Sequence, residues 1–450
     1  MAGSERCPLD ERAASDSGTA TPRRVRLRAV AAGLGVALAT GSSVLVRLLT
    51  NSFSWTLVRR RAGLVGLTLL MVGVLLAVTG CAGESAASRA ARSTLRLGYP
   101  PAQQALAQLA GKVLATGPNG EQSARADSVS LTPAEIDQVR AKKATAAIVM
   151  YYTGDSWTNA QIAGLRQEFT ELGIQVIAVT DANSQPDKQV SDIETVLARK
   201  PNIIVSIPTD PVATAGAYRQ AAAAGVKLVF MDNVPKGMVA GRDYVSAVSA
   251  DNVGNGVVSA HLMADALGGR GDIGVVFHEA DFQVTRERLQ GFEDTVARDY
   301  PNIHIVDRKG VTGPDFAGQA QAAATAMMVK HQHLAGIWGV WDVPTEGVIA
   351  AARALDRTDL AITTEDLGLT VAIALASGQY VTGLGAQRPF DQGLTEAKLA
   401  GYALIGKPAP PYVALDALAV THDNVLAAWR EVYHTDPPAQ VTDSFRKDVP

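Results

Sequence analysis

Cysteine is nearly missing from this chain: its 450 residues hold two, Cys7 and Cys81. No disulfide framework and no cysteine-rich zinc site can be built from so few. The short motifs of common catalytic chemistries are missing too. There is no G-x-S-x-G nucleophile turn, no P-loop, no dinucleotide-binding glycine fingerprint opening a helix, and no H-E-x-x-H zinc helix. The one close histidine pair, His331 and His333, falls at a helix-to-strand turn, where a solvated surface pair is expected. A surplus of positive charge is also lacking, since the net charge is −3. No global basic field therefore draws the chain to nucleic acid. These absences argue against an enzyme and call for neither metal nor cofactor.

What is present is a globular composition, 47% apolar and 19% charged, with an apolar leader added in. The length exceeds one ordinary core and suffices for two lobes plus that leader. Arg59-Arg60-Arg61 precede an apolar, uncharged run from Ala62 to Val78 that ends at Cys81. Basic, then apolar, then small residues is the plan of a secretory signal peptide, here placed at 58–80. The residues Val78-Thr79-Gly80-Cys81 resemble the lipobox of bacterial lipoproteins. That resemblance implies a lipidated Cys81 as first mature residue, anchored in the cytoplasmic membrane by its acyl chains. A plain transmembrane helix is the alternative, because the run is nearly long enough to span. The small polar residues after Cys81 suit a tether, so 81–144 is expected to be tether plus a helical segment. Residues 1–57 read as a non-functional or mis-started extension. Their stretch 26–50 faintly resembles the DNA-binding headpiece of LacI-type repressors.

From Thr145 onward, short apolar runs alternate with longer amphipathic ones. TAAIVMY, IQVIAV, NIIVSI and KLVFMD are expected strands, separated by helices near 158–172, 185–199 and 211–224. Gly173 and Gly225 stand where helix stops need positive φ. A second βα series starts near Asp251 and runs through strands 272–277, 304–308, 334–340, 360–365 and 381–386. Two such series are too much for one sheet, so the expected class is α/β with two doubly wound parallel-sheet lobes. Before them, Thr132-Pro133-Ala134-Glu135 carries an N-cap, a Pro at N1 and a Glu at N3, which starts a helix.

Three blocks carry a further resemblance. DANSQPDKQVSDIETVLARKPNIIVSIPTD (181–210), SADNVGNG (249–256) and TRERLQGF (285–292) occur in the order found in sugar-binding proteins of the ribose-binding type. The chain resembles that family, which shares its fold with LacI-type effector domains, from about Thr145 to Val432. The resemblance implies a type I periplasmic-binding-protein fold with a three-crossing hinge. Lobe 1 is then 145–250 plus 388–416, lobe 2 is 251–387 plus 417–435, and 436–450 is a flexible tail.

Ligands of open parallel sheets sit beyond the carboxyl ends of the strands. A sugar needs charged or amide partners for its hydroxyls and aromatic plates for its C–H faces. The resemblance then points to Asp232, Arg286, Asp366 and Gln387 as hydroxyl partners, with Arg288 in a surface or hinge salt bridge. Asn233 stands where the ribose pattern has Arg, and Asp366 lacks the glycine that follows the family's aspartate. In the first βα loop GDSW replaces N-N-P-F, which makes Asp155 a polar contact and Trp157 a stacking plate. Phe316 is a second plate. Trp341 occupies the place of an asparagine, so D-ribose itself is not singled out among pentoses, hexitols and other polyols. Core packing is the competing reading for Trp157 and Phe316. The implied function is a monomeric, extracytoplasmic solute-binding lipoprotein that closes on a carbohydrate or polyol for an ABC permease. A sensory or quorum-signal receptor of the same fold and a LacI-type regulator are the alternatives.

Overall fold

The computed structural model describes residues 98–446 apart from Asp281. Residues 1–57, the signal peptide at 58–80 and the lipidation candidate Cys81 lie outside the described residues. The chain opens with α1 (Pro100–Leu109), β1 (Ala124–Arg125) and α2 (Pro133–Ala141). Next come β2 (Thr145–Met150), α3 (Ser156–Glu171), β3 (Gln175–Asp181), α4 (Pro186–Ala198) and β4 (Ile203–Ser206). Helix α5 (Ala215–Ala223), β5 (Lys227–Met231) and β6 (Ser246–Ala250) finish this series. The second contains α6 (Asn252–Leu267), β7 (Gly271–His278), α7 (Gln283–Asp299), β8 (Ile303–Val311) and α8 (Phe316–Lys330). It continues through β9 (Leu334–Gly339), α9 (Asp342–Ala354), β10 (Ala361–Glu365), α10 (Leu369–Ala376) and β11 (Val381–Ala386). Last are α11 (Pro389–Ile405), β12 (Tyr412–Leu415), β13 (Leu418–Val420), α12 (Val425–Tyr433) and α13 (Ala439–Arg446).

These strands form two sheets. Lobe 1 has seven in the order β1-β12-β6-β5-β4-β2-β3, all parallel, and lobe 2 has six in the order β13-β11-β10-β9-β7-β8. Only β13, on β11, runs antiparallel in the second sheet. Each sheet has a core on both faces, as parallel sheets require. Along β2, Ala146, Ile148 and Met150 enter one core with Leu165 and Phe169, while Ala147 and Val149 enter the other with Ile193 and Tyr218. Along β9, Ile337 and Trp338 likewise part to opposite cores. The chain passes between lobes from β6 to α6, from β11 to α11 and from β12 to β13.

Glycines let the helices beside the crossings approach at backbone distance. A Cβ at Gly256 on α6 would collide with the Arg288 carbonyl of α7, and one at Gly291 on α7 with the Val253 carbonyl of α6. The two residues thus form a reciprocal contact that presses α7 onto α6.

The segment ahead of lobe 1 is tied to both lobes. Helix α1 packs on α6 of lobe 2 through buried Ala102, and the Tyr99 N–H donates to Asp265 Oδ1 at 2.6 Å. The N–H groups of Leu114 and Ala115 donate to the carboxylate of Asp251, at the first crossing, at 2.6 and 2.9 Å. Strand β1 then joins the lobe 1 sheet beside β12, and Tyr402 Oη donates to the Ser130 carbonyl at 2.7 Å. The expected capping box of α2 is formed between Thr132 and Glu135.

Candidate functional site

The residues at the carboxyl ends of the strands face one another across the crossings. Asp232 follows β5 and Asp366 follows β10, and both adopt positive φ, 52° and 65°. Asp tolerates this left-handed region better than most residues. The turn swings each carboxylate out of its sheet at equivalent points of the two lobes.

A hydrogen-bond chain joins these two acids through hinge residues. Asp232 Oδ1 accepts from Ser249 Oγ at 2.8 Å and from Gln392 Nε2 at 3.2 Å. Ser249 Oγ accepts from Asn252 Nδ2 at 3.1 Å, and Asn252 Oδ1 accepts from Arg288 Nε at 3.2 Å. The Arg288 guanidinium grips Asp366 with both terminal nitrogens, at 2.9 and 3.3 Å, and Nη1 also donates to the Val340 carbonyl at 3.2 Å. Asp366 Oδ1 accepts from Gln387 Nε2 at 2.8 Å, and Gln387 Oε1 accepts from Trp157 Nε1 at 3.2 Å. Trp157 and Asp232 belong to lobe 1 and Asp366 to lobe 2. Ser249, Asn252 and Gln387 flank the crossings.

Around this floor stand further acids and rings. Asp155 caps α3, accepting from the Thr158 N–H at 2.7 Å. Burial raises its pKa, and the Asp366 charge adds to the rise. Asp342 opens α9 beside Trp341, close enough to the loop after Asp366 that a side chain at Gly368 would strike its carboxylate. Burial, then Asp366 and Asp155, push the Asp342 carboxyl well above the usual range. Asp232 is pushed up to about 6, chiefly by burial, with Asp366 adding and Ser249, Gln392 and Arg288 opposing. In lobe 2 Phe316, Trp341 and His278 form a cluster of mutually edge-on rings. Their centroids lie 4.9 Å apart for Phe316–Trp341, 5.3 Å for His278–Trp341 and 5.7 Å for His278–Phe316. All three remain partly exposed. From α12, Tyr433 Oη donates to the Leu367 carbonyl at 2.7 Å and covers the loop after Asp366.

The structure therefore brings Asp232, Asp366, Gln387 and Trp157 onto one network, with Asp155 capping the helix that carries Trp157. Arg286 and Arg288 stand in different surroundings. Arg286 is exposed on α7, while Arg288 is 2% exposed and holds Asp366. Two residues apart on a helix project to nearly opposite sides, and Arg288 is the one whose guanidinium joins this network. The contact through Gly256 and Gly291 turns the Arg288 side inward, making its salt bridge one of hinge and cleft, not of surface. Asn233 is buried, and its side-chain amide donates to the Pro208 carbonyl at 3.4 Å. His278, Asp342, Ser249, Asn252 and Gln392 are site residues that the sequence reading passes over. His278 and Asp342 stand at or just beyond strand ends, so the strand-end rule applied one residue further would have found them. Of the surface histidine pair, His331 lies 3.1 Å from Asp307 and His333 is exposed. Among the described residues no three His, Cys, Asp or Glu side chains are grouped to hold a metal ion.

The family model described as periplasmic binding protein domain matches residues 146–408, more than half of the chain. The chain belongs to the periplasmic binding protein family. This periplasmic binding protein is 24% identical over 270 residues to the D-apiose import binding protein of Actinobacillus succinogenes, covering 60% of this chain and 84% of the relative. It is 32% identical over 132 residues to the ribose import binding protein of Bacillus subtilis, covering 29% of this chain and 41% of that protein. Among solved structures, an ABC transporter solute-binding protein from Agrobacterium vitis bound with α-D-tagatopyranose aligns with a TM-score of 0.58. That alignment has 24% identity and covers 64% of this chain and 99% of the other. At that identity the structural likeness is one of fold, and it is the two-lobed α/β fold described above.

Proposed function

We propose that this periplasmic binding protein captures a small carbohydrate or polyol outside the cytoplasm and delivers it to an ABC-type permease. The observation that carries the reading is the continuous hydrogen-bond chain from Asp232 through Arg288 and Asp366 to Trp157. It lines the strand ends of both lobes with acceptors and donors of fixed direction, which hydroxyls require. Phe316, Trp341 and Trp157 supply plates for C–H faces. Asp155, Asp232, Arg288, Trp341, Asp366 and Gln387 are the proposed ligand contacts. Arg286 is replaced in that role by Arg288, and Asn233 supports the wall through Pro208. Import binding proteins among the relatives support the transport role. Cys81 is proposed as the lipid anchor, with the segment after it as tether, and the chain as a monomer that turns over no ligand.

Ligand bound first to one lobe gains contacts from the other on closure, so it shifts the hinge equilibrium by its differential affinity for the closed state. Thermal-shift and tryptophan-fluorescence screens of the full chain in detergent against pentoses, hexoses and polyols test the proposal. A cognate compound raises the melting point by mass action and perturbs the fluorescence of Trp157 and Trp341. No response from any carbohydrate or polyol refutes the assignment.

A further inference from the structure

The segment ahead of lobe 1 carries the chain across the hinge once more. Its first part belongs to lobe 2. The Tyr99 ring covers Gly269, where a Cβ would strike it, and lies 6.2 Å from the Tyr300 ring, while Ala102 of α1 is buried in the same core. Its later part belongs to lobe 1. Val113 packs on the core that holds Tyr218 and Tyr412, Val129 on the one that holds Val413 and Leu415, and β1 pairs with β12. Ala110, Gly111 and Lys112 alone join the end of α1 to Val113. Four steps of chain span at most about 14 Å, so the link is short.

This link is also bonded at the first crossing. The Arg125 guanidinium of β1 donates to the Gly111 carbonyl. Just beyond, the N–H groups of Leu114 and Ala115 donate to the Asp251 carboxylate, which caps α6 by accepting from the Gly254 N–H at 2.8 Å. The Asp251 N–H donates to the Leu415 carbonyl at the end of β12, at 2.7 Å. One residue at the pivot therefore bonds lobe 1, lobe 2 and the segment between them. To the passages β6 to α6, β11 to α11 and β12 to β13 the segment adds a fourth. A short link fixed at both ends resists movement of the bodies it joins, where a long flexible one would follow them. The segment lies wholly ahead of the residues that the family model matches.

We propose that residues 98–131 are a strap that stiffens the hinge and limits how far the lobes open. The proposal rests on the reading of the chain as a hinged binding protein and adds a restraint on its hinge. A strap that keeps the binding-competent arrangement populated before ligand arrives tightens binding, because apparent Kd scales inversely with the competent fraction.

The test reads lobe separation without ligand. Nitroxide labels are placed on Val212→Cys, beyond the end of β4, and Thr370→Cys, in the first turn of α10, both exposed. The full chain in detergent carries Cys7→Ser and Cys81→Ser so that only these sites react, and pulsed electron–electron resonance gives the distances. Inserting Gly-Ser-Gly-Ser between Gly111 and Lys112 gives the link slack and keeps every contact residue. The distance distribution is expected to broaden toward longer separations. For any carbohydrate that binds, Kd is expected to rise about threefold or more. Tyr99→Ala frees the far end of the strap without touching the hinge, should move the distances the same way, and decides the question if the insertion variant does not fold. A distribution that stays unchanged or narrows overturns the strap, and an unchanged Kd beside a broadened distribution overturns its link to affinity. A blank carbohydrate screen overturns the reading of the ligand alone, since the distances are measured without one.

Discussion

Replacing Arg288 by Met gives a sharp test of the site, because Arg286 on the same helix is a built-in control. Arg288 is 2% exposed, and its partner Asp366 keeps 14% of its side chain accessible. Removing one partner of such a pair strands a carboxylate in a poorly solvated place, which costs about 3–5 kcal/mol. Asn252 Oδ1 and the Val340 carbonyl lose their donor in the same step. Partial access of Asp366 to solvent holds the sum near that range. We therefore expect Arg288→Met to lower the urea-unfolding free energy by about 3–5 kcal/mol with an unchanged m-value. Ligand affinity should fall by about 100-fold or more, since truncating one partner of a buried charge pair at a binding surface costs about 2–5 kcal/mol. Arg286→Met should stay within about 0.5 kcal/mol in stability and within about threefold in affinity. The double variant Arg288→Met, Asp366→Asn removes the stranded charge and should regain about 2 kcal/mol of stability over Arg288→Met alone. The assignment fails if Arg286→Met is the variant that loses the ligand, or if the double variant is no more stable than Arg288→Met.

The other expectations concern the parts that hold this site together. Asp232, raised from the ordinary 3.8 to about 6, binds its proton more tightly in the folded state. Its penalty is thus relieved as pH falls from 6 toward 4, and fully present above 6, at about 3 kcal/mol. Asp232→Asn should raise the unliganded melting temperature at pH 8, do so much less at pH 5, and abolish ligand binding; an equal effect at both pH values refutes the burial argument. Gly256→Ala drives a Cβ into the α7 backbone and should cost at least about 2 kcal/mol in urea unfolding. Gly216→Ala, with nothing within 4 Å, should be neutral or stabilise by up to about 1 kcal/mol. Asp251→Ala removes the α6 cap at Gly254 and the two N–H bonds from Leu114 and Ala115, and should cost about 3 kcal/mol. Hydrogen exchange at Leu114 and Ala115 should then speed up, and unchanged protection there would refute a role for Asp251 in tying down that segment.

The central strands are legible because parallel strands buried on both faces are written as unbroken apolar runs. TAAIVM, IIVS and KLVFM are found as β2, β4 and β5 within a residue or two of the expected bounds. Gly173 and Gly225 end their helices at φ of 65° and 84°, the conformation that made them readable as stops. Strand β6, SAVSA, has no such run; it is buried by its neighbours β5 and β12, not by its own bulk. The segment before Thr132 is opaque for a related reason. Much of its order comes from single long-range bonds to Asp251, Asp265 and Tyr402, which leave no periodicity in the sequence. In the site, strand-end position identifies Asp232, Asp366 and Gln387, because the backbone itself delivers them. Choosing between Arg286 and Arg288 needs the rotation of α7, and that is set by Gly256 and Gly291 meeting across two helices.

The network also bears on how capture and closure are linked. Trp157 in lobe 1 reaches Asp366 in lobe 2 through Gln387, and Asp232 reaches Arg288 through Ser249 and Asn252. Moving the lobes apart must stretch or break bonds in these two relays, each worth about 1 kcal/mol net. A handful of such bonds biases the hinge by only a few kcal/mol, below the roughly 5.5 kcal/mol of differential affinity that takes a two-state equilibrium from 1:99 to 99:1. A ligand that completes the valences of Asp232, Asp366 and Gln387 acts on the same side chains that carry the relays. Affinity and closure are then set by one group of residues, and a substitution at Gln387 or Asn252 should change both together. Separate changes in the two quantities would mean that the lobes are held by contacts outside this chain of bonds.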